Sequence, residues 1–318
     1  MLHSTRGGAG PAKYERASDA EGCVEEKTGT VRPGAGTPVN RMDEGKMTTQ
    51  KERAERFRAL HEREGAFVIP NPWDVGSARL LAGLGFEALA TTSAGFAHTL
   101  GRLDGQVTRQ EAIEHCRALC AAVSLPVSAD LENCFADEPE RAAATILAGA
   151  EAGLAGCSIE DYSGDPSNSI YDFGLAVERV HAAAEAARSL DIPFVLTARS
   201  ENLIRGRQDL EDTIRRLRAF EAAGADVLYA PGLKTLDEVR LVARALSKPL
   251  NVLAPPLGGV TVAELADAGA RRISLGGALA RAAVTALLRA GAEMREHGSF
   301  GWAAGLASAG EVARLLGG

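Results

Sequence analysis

From Ala66 onward a short apolar run followed by a polar helix start recurs eight times, and this rhythm constrains the fold more than any other feature of the chain. The runs are Ala66 to Pro70, Phe86 to Thr92, Pro126 to Leu131, Gly156 to Glu160, Pro193 to Arg199, Asp226 to Ala230, Leu250 to Ala254 and Arg272 to Leu275. Each is apolar on both faces, as a parallel strand covered on both sides must be. Helix starts lie between them: Thr108 with Glu111, Asp137 with Glu140, Asp209 with Asp212, Thr235 with Glu238 and Thr261 with Glu264 read as capping boxes or close variants. Gly85, Gly153, Gly224 and Gly269 stand where helices should stop. Eight unbroken β-then-α units predict an α/β fold of the closed (β/α)8 TIM barrel type over residues 49–318. An open doubly wound sheet is the alternative, but no G-x-G-x-x-G follows the first run.

The flanks differ from this core. Residues 1–48 are rich in Gly, Ser, Thr, Glu and Arg without apolar period, and are expected to be disordered. Met42 and Met47 precede the first periodic segment, a charged helix from Lys51 to Glu64, so Met1, Met42 and Met47 are all candidate starts. Ala278 to Gly318 carries more helix than barrel closure requires. Such a surplus predicts packing on a neighbouring copy, with helix exchange between subunits as one form and a homodimer or homotetramer as the product.

Composition excludes several classes. The net charge is -7, and only Lys234 and Lys248 follow Lys51 among the lysines, so a nucleic-acid partner is not expected. No apolar run reaches the ~18 residues of a membrane span, and a cytoplasmic protein is expected. Five cysteines without a C-x-x-C pair fit reduced thiols.

In a barrel of this kind chemistry gathers at the carboxyl ends of the strands. Those ends here carry Asn71-Pro72-Trp73-Asp74, Thr91-Thr92-Ser93-Ala94-Gly95, Asp130 with Glu132, Glu160-Asp161-Tyr162, and Arg199-Ser200-Glu201-Asn202. Asp130 and Glu132 are two apart, which in a strand aims both the same way. Two such anions ask for a cation, or else mark a solvated strand end. Carboxylates without His or Cys favour a hard ion such as Mg2+ over zinc. Arg199 suits a carboxylate or phosphate, or else pairs with Glu132, Glu160 or Glu201. Ser93-Ala94-Gly95 is either an anion-cradling turn or a plain tight one. The long loops Gly95 to Val107 and Tyr162 to Phe173 read as lids.

Taken in chain order, these residues resemble the isocitrate lyase/phosphoenolpyruvate mutase superfamily over roughly Phe67 to Gly277. The resemblance rests on Asp130 and Glu132, Glu160 and Asp161, Arg199, the turn from Asn71 to Ala78, and Leu100-Gly101-Arg102-Leu103-Asp104. It implies Asp130 as direct Mg2+ ligand, with Glu132, Glu160 and Asp104 acting through water. Ser93, Ala94, Gly95 and Arg199 would hold the carboxylate of a small 2-oxo acid, Asn168 and Ser169 would reach a substrate anion, and Arg199, Glu160 and Asn168 become the candidate catalytic residues. The implied chemistry is lyase-type: a metal-stabilised enolate forms as a carbon-carbon or carbon-phosphorus bond at C3 breaks or forms. Two departures matter. The loop from Tyr162 to Phe173 lacks the Cys, Lys and His of the lyase branch, and it keeps Glu160-Asp161 and Asn168-Ser169 of the mutase pattern but neither lysine. Phosphonate chemistry of the phosphoenolpyruvate mutase kind, a non-catalytic barrel binding metal and 2-oxo acid, and a Schiff-base aldolase using Lys234 are the competing readings. Cys134, in the turn after the acids, is expected to pack rather than react.

Overall fold

The computed structural model describes residues 48–317, so the expectations for 1–48 and for the start site fall almost wholly outside the described residues. Eight strands follow in order: β1 (Phe67–Ile69), β2 (Leu89–Ala90), β3 (Val127–Asp130), β4 (Gly156–Glu160), β5 (Val195–Arg199), β6 (Val227–Tyr229), β7 (Leu250–Leu253) and β8 (Ala270–Ser274). The helices are α1 (Gln50–Glu62), α2 (Val75–Gly83), α3 (Ser93–Thr99), α4 (Arg109–Ala122), α5 (Pro139–Glu151), α6 (Phe173–Arg188), α7 (Leu210–Ala223), α8 (Leu236–Arg244), α9 (Val262–Asp267), α10 (Ala278–His297) and α11 (Ala309–Leu315). All strand pairs are parallel, in the order β1-β8-β7-β6-β5-β4-β3-β2. β1 and β2 share no ladder, yet the Ala90 N–H donates to the Pro70 carbonyl at 3.0 Å across that seam. The eight-stranded barrel is therefore nearly closed, as the alternation predicts.

Local chemistry explains the element ends. Thr108 and Thr261 form full capping boxes with Glu111 and Glu264. Asp209 and Thr235 cap α7 and α8 with their side chains. Asp137 does not cap: α5 starts after Glu138 with Pro139 in the first turn, and Asp137 instead accepts from the Tyr171 hydroxyl. Proline at the first helical position lacks one of the N–H groups a helix start leaves unpaired, and its fixed φ starts the helix without a side-chain cap. All four predicted stop glycines have left-handed backbone, with φ from +90° at Gly85 to +111° at Gly224. β2 is shorter than the apolar run from Phe86 to Thr92, because the seam with β1 leaves it one full partner.

The core is layered. Strand residues such as Ala129, Ile159, Leu196 and Leu228 belong to one buried cluster with Ile146, Val180, Leu217 and Val239 of the surrounding helices. At the amino-terminal end Phe57 and Leu60 of α1 pack against Phe67, Ala155, Val195 and Val227, so α1 plugs the floor of the barrel. The floor is packed with apolar side chains and the opposite mouth is polar, which directs ligands to the carboxyl end. α11 returns to α2, where the Leu315 backbone leaves no room for a Cβ at Gly83. α10 leaves Leu287 and Leu288 exposed. Among the described residues no helix is long and apolar enough to cross a membrane.

Candidate active site

Two adjoining cavities open at the carboxyl ends of the strands. The outer one, about 340 Å³, is lined by Ser93, Asp104, Glu132, Asn133, Glu160, Tyr162, Arg199 and Arg205 among others. The inner one, about 180 Å³, reaches into the barrel past Asn71, Ser128, Asp130, Ser158, Tyr229, Asn251, Arg272 and Ser274. They share Ser93, Asp104, Arg199 and Arg205.

Arg199 is the hub. Being the last residue of β5, it extends across the mouth with its side chain 13% exposed. Its Nη1 donates to Asp130 Oδ1 at 2.9 Å, its Nη2 lies 3.2 Å from Glu160 Oε2, and its Nε and Nη2 both reach Glu201 Oε1. The sequence alternatives for its partner were Glu132, Glu160 and Glu201; the structure realises two of these and replaces Glu132 by Asp130. Burial opposes its charge, but Glu160, Glu201 and Asp130 hold it firmly protonated. Burial also pushes the Glu160 carboxyl well above the usual range, against the pull of Arg199.

Asp130 ends β3. Its Oδ2 accepts from the Ser93 N–H at 3.3 Å and from Ser93 Oγ at 3.1 Å. Ser93 opens α3, where the Gly95 N–H donates to Thr92 Oγ1 at 3.3 Å. Two of the three amides expected to cradle an anion are thus engaged within the protein. Gly95 is required sterically, since a Cβ there would lie 2.6 Å from Thr92 Cγ2 and 2.9 Å from Trp73 Cβ.

Glu132 corrects the strand-alternation argument. β3 stops at Asp130, and Glu132 sits in a turn with φ +51°, as do Cys134 at +59° and Phe135 at +57°. A left-handed turn, not the pleat, brings Glu132 to the cavity. Burial, then Asp130 and Asp104, push its carboxyl up to about 8. Cys134 is fully buried, and burial raises its thiol to about 12, in keeping with a packing role.

Asp161 turns away from the cavity. Its Oδ1 accepts from the Glu201 N–H at 2.7 Å and its Oδ2 lies 3.2 Å from Arg216 Nη1, so it ties β4 to β5 and α7. Asn168 and Ser169 occupy a 3-10 turn beside the mouth; Asn168 is exposed, and neither lines either cavity. From that loop Tyr162 and Gly164 reach the outer cavity instead. Lys234 donates to Gln208 at the surface and lines neither cavity.

Three arginines escaped the sequence reading. Arg205 lines both cavities with its guanidinium 3.5 Å from the Tyr162 ring centroid. Arg179, 1% exposed, donates to the carbonyls of Asn133, Ala136 and Asp137 and so clamps the turn holding Glu132. Arg272 borders the inner cavity from β8. Only Arg272 carried a sequence signal, a charge inside an apolar strand.

The donor set can be tested against a metal ion. Among the described residues no group of three or more His, Cys, Asp or Glu is already arranged to hold one. Four carboxylates, Asp104, Asp130, Glu132 and Glu160, nevertheless border the paired cavities, and burial raises two of them, Glu132 and Glu160. Mg2+ keeps several waters and needs only one or two carboxylates directly, so this set fits it. Asp130 accepts at Oδ1 from Arg199 at 2.9 Å and from the Glu132 N–H at 3.4 Å, and at Oδ2 from Ser93, so a directly bound ion would take the place of one of these donors.

The chain matches the family model of phosphoenolpyruvate phosphomutase over residues 57–295. It is 30% identical over 208 residues to 2-methylisocitrate lyase of Halalkalibacterium halodurans, covering 64% of this chain and 67% of the relative. It is 29% identical over 218 residues to oxaloacetate decarboxylase of Paraburkholderia xenovorans, covering 66% and 70%. Among solved structures, one from Burkholderia cenocepacia, assigned provisionally as a lyase/mutase, is 52% identical with a TM-score of 0.82, covering 85% of this chain and 97% of the other.

Proposed function

The chain belongs to the isocitrate lyase/phosphoenolpyruvate mutase superfamily, and we propose that within it the protein is a Mg2+-dependent lyase-type enzyme acting on a small 2-oxo carboxylic acid. One observation carries the reading: four carboxylates and the hub Arg199 share one cavity system at the barrel mouth. Asp130, Glu132, Glu160 and Asp104 would hold the cation, Asp130 directly and the others through water. When bound, Mg2+ supplies Lewis-acid stabilisation of the enolate that develops as a bond at C3 breaks.

The chain's own groups do the rest. Arg199 is immobilised by three carboxylates where both cavities meet, so it would meet a substrate anion without reorganisation. Ser93 orients Asp130 from both its amide and its hydroxyl. The loop after β4, pinned by an antiparallel bridge between Tyr162 and Ile170, would close over the substrate and exclude water. Such closure is what would bring Asn168 and Ser169 to the cavity.

The composition of the loop after β4 narrows the bond that can break at C3. No thiol lies in the loop from 162 to 173, and Cys116, Cys120, Cys134 and Cys157 are buried. Cleavage that uses a loop thiol is therefore not supported, whereas oxaloacetate-type decarboxylation or acyl-pyruvate hydrolysis needs none. Arg205 over Tyr162 favours a second reading, phosphonate chemistry, because it restores positive charge where the mutase pattern has lysine. The test is a panel of 2-oxo acids and phosphonates assayed with Mg2+. Turnover of at least one, lost in EDTA and restored by Mg2+, is the expected result. Tight oxalate binding with no turnover across the panel would instead mean a non-catalytic barrel.

A further inference from the structure

Three arginines border the paired cavities, and they differ in what each has left to offer a ligand. Arg199 is taken up by Asp130, Glu160 and Glu201, and Arg272 is 4% exposed and bonded to Asn251. Arg205 is different. It follows the 3-10 turn Asn202–Ile204 after β5, and its side chain is 31% exposed. Its Nε is buried 3.4 Å from Glu201 Oε2, whereas neither Nη is buried by the described residues or hydrogen-bonded to them.

Two neighbours hold this open end in place. Glu201, fully buried, gives Oε1 to Arg199 and turns Oε2 to Arg205, so one carboxylate anchors both guanidiniums. The Arg205 guanidinium carbon sits 3.5 Å over the centroid of the Tyr162 ring, in the loop after β4. A guanidinium lying on an aromatic face keeps its N–H edge available for an anion. The outer cavity, about 340 Å³, otherwise carries the acids Asp104, Glu132 and Glu160. A cation with an open edge on that wall, tied through Glu201 to the arginine that would grip the first carboxylate, marks the place of a second negative charge. An acid with nothing charged on C3 would leave Arg205 without a partner.

We propose that Arg205 is a specificity-determining residue: it receives an anionic group on C3 of the 2-oxo acid, a carboxylate or a phosphonate, with Tyr162 as its platform. This rests on the 2-oxo-acid reading of the site. It narrows the substrate class to 2-oxo acids that carry a second anion, and a monoacid such as pyruvate forfeits the contact.

The experiment is calorimetric displacement of oxalate from the full chain with Mg2+, in wild type, Arg205→Met and Arg205→Lys, together with thermal unfolding without ligand. Oxalate has no C3. The displacing ligands are racemic lactate, malate and 3-phosphonolactate, in which a 2-hydroxyl replaces the oxo group and prevents enolate formation. In wild type, malate or 3-phosphonolactate should bind at least tenfold more tightly than lactate. Arg205→Met should erase that preference and Arg205→Lys should keep part of it, while oxalate affinity stays within threefold of wild type. Should the Met variant not fold, Arg205→Gln carries the same expectation. Preference for malate alone identifies a carboxylate subsite, and preference for 3-phosphonolactate alone a phosphonate one. An arginine that only fills space over Tyr162 would lower the melting temperature on replacement and leave the preference unchanged, which overturns the proposal. A wild type without the preference, or a neutral variant that weakens oxalate as much as malate, overturns it equally and leaves the site reading intact. Oxalate binding to wild type that is indifferent to Mg2+ removes both.

Discussion

Arg179 lines neither cavity, yet it governs the position of a residue that does. Its guanidinium collects the carbonyls of Asn133, Ala136 and Asp137 and stacks 4.3 Å from the Tyr171 ring centroid. Between those carbonyls run Cys134 and Phe135, both with positive φ, and just before them Glu132. Non-glycine residues in that region cost of order 1 kcal/mol or more each, and the clamp offsets this. Replacing it by Met leaves buried acceptors without donors, at about 1–3 kcal/mol each. Arg179→Met should therefore lose about 3 kcal/mol or more in urea unfolding and also weaken Mg2+-dependent oxalate binding through Glu132. A loss below about 1 kcal/mol with unchanged binding would show that the turn holds itself. At this scale the sequence was legible where a polar residue ends an apolar run, as with Asp130, Glu160 and Arg199. Arg179 and Arg205 were not, because nothing distinguishes them locally from the other arginines among 35 basic residues; only the fold brings them to the site.

Among the elements, α1 is the one whose placement has a titratable signature. His61 lies in the floor plug, edge-on to Phe57 at 4.7 Å and Phe67 at 5.0 Å, with Nδ1 2.8 Å from the Phe57 carbonyl. That contact makes Nδ1–H the donor and leaves the ring neutral. Burial, and then the Arg272 charge, lower it from 6.5 to about 3. In the pH window between those values the unfolded chain takes up a proton there that the folded chain refuses, so this contribution is intact above pH 6.5 and is lost as pH falls toward 3. Relative to His61→Leu, wild type should lose about 1.4 kcal/mol per pH unit below 6.5, read from paired urea titrations. A difference independent of pH would mean that the ring is not buried neutral. The elements themselves were largely readable, since period and caps are local signals. What failed was non-local: Asp137 is bound by Tyr171 rather than by its own helix, and Glu132 is aimed by Arg179 rather than by the strand.

Across the barrel, an apolar floor plugged by α1 faces a polar mouth where β3, β4 and β5 deliver Asp130, Glu160 and Arg199 to one point. That convergence follows from strand order alone, which is why the acids and the arginine are legible in the sequence. The identity of the reacting bond is not, because it depends on the loops after β4 and β5, contributions that are far apart in the chain. The central claim is that the mouth binds a divalent cation and an enolate-like dianion together. Its most direct test is calorimetric titration of oxalate into wild type and Asp130→Ala, with and without Mg2+. The account predicts Mg2+-dependent binding in wild type and its loss, by a hundredfold or more, in a folded Asp130→Ala. Unchanged binding in the variant, or wild-type binding indifferent to Mg2+, would contradict it.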